Sequence, residues 1–96
     1  MSTLDTIALI RAKPGSESVV LDALTELRVH TPAEEGCLRY DLFGSAATPG
    51  TYVTVEEWTD QAALDQHLGS AHIAAALAAV DGALAGPPGV HPLTPA

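Results

Sequence analysis

The residues of this chain best suited to chemistry are Glu56, Trp58, His67 and His72, with Tyr40 and Tyr52 as aromatic companions. Glu56 falls in the run Tyr52-Val53-Thr54-Val55-Glu56-Glu57-Trp58. In an extended strand alternate side chains share a face, so Tyr52, Thr54, Glu56 and Trp58 lie together and Val53, Val55 and Glu57 lie opposite. The first face sets an ionisable carboxylate beside aromatic rings that can line an apolar pocket. His67 and His72 follow at the end of one predicted helix and the start of the next. An unperturbed histidine titrates near ~6.5, which suits a general base at working pH. Each residue also has a plainer structural role: Trp58 as core, Tyr40 as a half-buried strand residue, Glu56 as a hydrogen-bonded surface group. His30 and His91 lie beside breaks and read as surface residues.

Other chemistries lack their residues. There is no glycine-rich phosphate loop and no GxSxG elbow, so neither nucleotide nor flavin binding through such loops, nor serine hydrolysis, is indicated. Cys37 is the only cysteine, which excludes an intrachain disulfide and a cysteine-based metal site. His67 and His72 are separated by the Gly69-Ser70 break, a spacing poor for a shared metal, and no other His, Cys or carboxylate group has metal-ligand spacing. The expectation is an activity, if any, carried by side chains alone, with no metal and no cofactor.

Composition narrows the class further. The 96 residues suffice for one domain, expected to span 1–96, and 47% apolar against 17% charged residues is a globular ratio. The formal net charge is −8, and Arg11, Lys13, Arg28 and Arg39 are the only basic residues apart from histidine. They form no patch, which argues against nucleic acid and against an anionic membrane surface. Neither a secretory leader nor a membrane span is visible, so a cytoplasmic location is expected.

The elements that must position these residues follow from periodicity. Ile7 to Ala12 predicts a strand ended by Pro14-Gly15. Ser16 is placed to cap a helix on which Val19, Val20, Ala23, Leu24 and Leu27 recur at helical spacing, running to about His30. Cys37 to Gly44 predicts a second strand, with Leu38, Tyr40 and Leu42 on one side. A turn at Ala46 to Gly50 leads to a third strand, Thr51 to Trp58, completing a hairpin. Thr59 or Asp60 caps a helix from Gln61 to Leu68, and an alanine-rich helix is expected from Ala71 to about Ala85. Gly86-Pro87-Pro88-Gly89 stops it, and Val90 to Leu93 predicts a last strand at a sheet edge. The order β-α-β-β-α-β, with the second helix broken in two, is the α+β ferredoxin-like arrangement with an antiparallel sheet. Both helices then cover one sheet face. The other face stays apolar and open, a reason to expect a partner subunit.

Three linked motifs carry a resemblance over nearly the whole chain. They are Ala12-Lys13-Pro14-Gly15, then Glu35-Gly36-Cys37-Leu38-Arg39-Tyr40, then Glu56-Glu57-Trp58-Thr59-Asp60 followed by His67-Leu68-Gly69-Ser70-Ala71-His72. In order and spacing they resemble the antibiotic-biosynthesis monooxygenase domain. The resemblance implies a homodimer packed sheet to sheet into a dimeric α+β barrel, with a pocket between sheet and helices in each subunit. It further implies a cofactor-independent monooxygenase acting with dioxygen on a small aromatic quinol or polyketide-like compound. On that reading His67, His72 and Glu56 are the catalytic candidates, and Trp58, Tyr40 and Tyr52 contact substrate. His67 or His72 would be the base, and Glu56 would orient a histidine or a water. The alternative is a non-catalytic small-ligand-binding or accessory homodimer of the same fold.

Overall fold

The computed structural model describes residues 2–96. Its elements are β1 (Leu4–Arg11), α1 (Glu17–His30), a 3-10 turn (Thr31–Ala33), β2 (Cys37–Gly44), β3 (Thr51–Trp58), α2 (Gln61–Leu68), α3 (Ala71–Ala79) and β4 (Gly89–Pro92). The strands form one sheet in the order β2-β3-β1-β4, every neighbour antiparallel. This is the ferredoxin-like α+β arrangement expected from the element order. No helix among the described residues is long and apolar enough to cross a membrane.

Alternation along the central strands divides the sheet. Thr6, Ala8 and Ile10 of β1 and Thr54, Glu56 and Trp58 of β3 are buried towards the helices. Helix α1 meets them with Val20, Ala23, Leu24 and Leu27, a stripe at helical spacing. The opposite face carries Ile7, Leu9, Phe43, Val53 and Val55, and Leu9 and Phe43 remain 40% and 49% exposed.

Local expectations failed where tertiary contacts overrode them. A bulge between Cys37 and Arg39 makes Leu38 the extra residue, so it is exposed instead of pointing inward with Tyr40. Ser16 makes no side-chain cap; the Glu17 carboxylate accepts from the Gly15 N–H instead. Asp60 does cap α2, accepting from the Ala63 N–H at 2.9 Å. Helix α3 stops at Ala79, six residues short of the alanine-rich run's expected end. Gly82 turns with φ +76°, and the following residues pair with the end of β1: Lys13 N–H donates to Ala83 O and Ala85 N–H to Arg11 O, each at 2.8 Å. Alanine's helix preference is weak enough for such bonds to outweigh it.

Candidate functional site

A part-open cavity of about 280 Å³ lies between the inner sheet face and helices α1 and α3. Its floor includes Ala8, Ile10, Tyr40, Thr54 and Glu56, and its walls include Leu24, Leu27, Ile73, Leu77 and Val80. Ala8, Ala23 and Ala76 are too small to fill the space they border. Tyr40, Thr54 and Glu56 supply its only polar lining side chains.

Glu56 is 4% exposed and both of its oxygens are held. Thr54 Oγ1 donates to Oε2 at 2.6 Å and Trp58 Nε1 donates to Oε1 at 2.9 Å. All three side chains alternate along one strand face, so the carboxylate is oriented by its own strand. Hydrogen bonds to both oxygens compensate for its burial. Tyr40 faces Glu56 across the β2–β3 ladder. Burial, and then the Glu56 and Glu34 carboxylates, push the Tyr40 phenol well above its ordinary pKa. It therefore stays neutral and able to donate throughout the working range.

That shift has a sign for stability. The unfolded chain releases the Tyr40 proton near ~10 while the folded chain keeps it, so folding stability falls as pH rises above ~10. Below that pH the contribution is fully present. Urea unfolding between about pH 9 and 11 should show a loss of up to ~1.4 kcal/mol per pH unit that Tyr40→Phe removes. An identical alkaline slope in Tyr40→Phe would contradict the assignment.

The remaining candidates sit behind this floor. Trp58 is fully buried and His67 is 2% exposed, with ring centroids 4.8 Å apart. The Tyr40 ring centroid lies 5.5 Å from that of His67. Neither His67 nor His72 lines the cavity, and the rings of the two histidines are 6.5 Å apart. Tyr52 is also absent from the lining; its hydroxyl donates to Glu17 O at 3.4 Å. Glu56 bonds to no histidine; Thr54 and Trp58 are its side-chain partners, and each oxygen keeps a further lone pair for a substrate or a water.

The carboxylate that does meet the histidines is Glu34, which sequence reasoning missed. His67 Nδ1 lies 3.1 and 2.9 Å from its two oxygens, and His72 Nε2 bonds to Oε2. A carboxylate accepting these bonds requires both imidazoles to donate, which leaves the lone pair of a neutral His67 on Nε2. Glu34 stands 33 residues before His67 and 38 before His72, so no local spacing advertises it. The nearest signal is Gly36, with φ +84°, where a Cβ would lie 2.5 Å from Ala63 Cβ. Only glycine lets this loop press against α2 and carry Glu34 to His67. No His, Cys or carboxylate cluster stands at metal-ligand spacing along the sequence; the fold nevertheless brings ligand atoms of Glu34, His67 and His72 within 4.8 Å of one another. Cys37, nearby, is no activated nucleophile, since burial and then Glu34 raise its thiol pKa.

Residues 6–79 match the sequence profile of the family described as antibiotic biosynthesis monooxygenase. The chain belongs to this family. It is 38% identical over 65 residues to the Bacillus subtilis (strain 168) protein named "Putative monooxygenase YcnE", covering 68% of each chain. It is 37% identical over 71 residues to "Putative monooxygenase Rv0793" of Mycobacterium tuberculosis, covering 74% of this chain and 69% of that one. The solved structure of Rv0793 superposes with a TM-score of 0.88 at 35% identity, covering 99% of this chain and 96% of that one. PA3566 from Pseudomonas aeruginosa superposes with a TM-score of 0.90 at 28% identity, covering 100% and 96%. The ferredoxin-like fold is shared, and the names of its relatives place this antibiotic biosynthesis monooxygenase domain among monooxygenase-like proteins.

Proposed function

We propose that this domain is a monooxygenase that oxidises a small, largely apolar quinol or polyketide-like phenol with dioxygen, using neither metal nor flavin in the reaction. The observation carrying this reading is the polarity of the cavity: one oriented carboxylate and one neutral phenol in an otherwise apolar chamber. About 280 Å³ suits a compact ring system. Flavin and nicotinamide cofactors carry phosphates, and no cationic side chain lines the cavity to receive one.

Glu56 accepts the hydrogen bond of the substrate hydroxyl and takes its proton as the ring becomes electron-rich. Tyr40 donates to an oxygen of the substrate that gains negative charge. The substrate supplies all the electrons. For a ring methylene, one atom of dioxygen becomes the product carbonyl oxygen and the other leaves as water with the two methylene hydrogens. His67 and His72 act from behind, with Glu34 holding His67 against Trp58 and Tyr40. Oxygen uptake over a panel of quinols and anthrone-like phenols, in protein stripped of metal and flavin, tests the reading. Turnover with one labelled oxygen atom in the product is expected. Absence of uptake, together with ligand-induced thermal stabilisation, would favour a binding dimer instead.

The same reading includes a homodimer formed through the outer sheet face. Leu9 and Phe43 are large apolar side chains left exposed there, next to half-buried Ile7, Val53 and Val55. Phe43→Glu should convert a dimer to a monomer in sedimentation velocity. A dimer that tolerates this charge would place the interface elsewhere.

A further inference from the structure

Glu34, His67 and His72 line no part of the cavity. They come from three segments: the loop after the 3-10 turn, the last turn of α2 and the first turn of α3. We propose that these three side chains form a binding site for one divalent transition-metal ion of the zinc class, which clasps α2 and α3 to the Glu34 loop. This inference stands independently of the oxygenase reading.

The donor set selects the ion. Two imidazoles and one carboxylate suit zinc and its neighbours, whereas calcium and magnesium require a shell dominated by oxygen. Tetrahedral bonds of about 2.0–2.1 Å place donors about 3.3 Å apart. His67 Nδ1 is 2.9 and 3.1 Å from the carboxylate oxygens and all the donor atoms lie within 4.8 Å of one another, so an ion enters by displacing the protons that the two imidazoles donate to Glu34.

Charge and preorganisation agree. Among the described residues no lysine or arginine pairs with Glu34; its partners are the two histidines. His67 is 2% exposed and packs against both the Trp58 and Tyr40 rings, so one ligand is held in place before any ion arrives. The side chains of His72 and Glu34 are 33% and 16% exposed, giving the site a path to solvent. The His30 ring lies 6.2 Å from that of His72, which leaves the fourth position to His30 or to water. Helices α2 and α3 meet at Gly69-Ser70 and contribute Leu68, Ile73 and Leu77 to the cavity wall. An ion bridging their facing ends would stiffen that wall.

Trp58 is the only tryptophan and its ring centroid is 4.8 Å from that of His67, so it reports on the site directly. Untagged, metal-free full-length protein is titrated with Co²⁺ and then with Zn²⁺. One equivalent of Co²⁺ should quench Trp58 fluorescence and produce visible d–d absorption. Zn²⁺ should displace it and, at about a hundredfold excess over its Kd, raise Tm by roughly 10 °C. His72→Ala and Glu34→Gln should each weaken binding at least about tenfold; should His72→Ala fail to fold, His72→Gln replaces it. Absence of stoichiometric quenching up to about 1 mM Co²⁺, or unchanged affinity in the folded variants, overturns the proposal.

Discussion

Glu56→Gln is expected to lower oxygen-dependent turnover by about two to four orders of magnitude, the range for loss of a positioned proton acceptor. The fold should survive it. Glutamine keeps a carbonyl oxygen for the Trp58 N–H, and the Thr54 hydroxyl can rotate to accept from the new amide. Circular dichroism and urea unfolding then serve as controls for an oxygen-electrode measurement. The same measurement discriminates between bases. If a histidine takes the proton, the larger loss will follow His67→Ala or His72→Ala, and Glu56→Gln will remain within a few fold of the parent.

The second large effect is on stability. Trp58→Ala removes a fully buried indole and should cost about 3–5 kcal/mol through lost packing. It also deprives Oε1 of Glu56 of its donor, adding about 1–3 kcal/mol. Together these approach the whole stability of an ordinary domain, about 5–15 kcal/mol. Trp58→Phe separates the two contributions, because it keeps a ring against His67 and loses the N–H. In a Glu56→Met background Trp58→Phe should cost measurably less, since no buried carboxylate is then abandoned. Equal costs in both backgrounds, read from urea midpoints, would show that the Trp58–Glu56 bond contributes nothing specific.

The floor of the cavity was legible in the sequence because a strand repeats every two residues. Tyr52, Thr54, Glu56 and Trp58 had to share a face once Thr51 to Trp58 was extended, and the bonds from Thr54 and Trp58 to Glu56 follow that repeat. Tyr52 shows the limit of this reasoning: it keeps to the face but lies beyond the cavity. Leu38 shows another, since a bulge shifts the alternation and no residue type announces it.

Local sequence determined the element order, the capping of α2 by Asp60, the break at Gly69-Ser70 and the strand that presents Glu56, because each depends on residues within one or two turns of chain. The pairing of Glu34 with His67 and His72 was decided only when the chain closed up. The 3-10 turn, the left-handed Gly36 and the contact with Ala63 fold a loop onto a helix some thirty positions later. The same packing placed Trp58 between Glu56 and His67, and so left the carboxylate, not the imidazole, at the cavity. Contacts between distant segments depend on how whole faces pack, and a periodicity confined to one element carries no record of what the opposite face will meet.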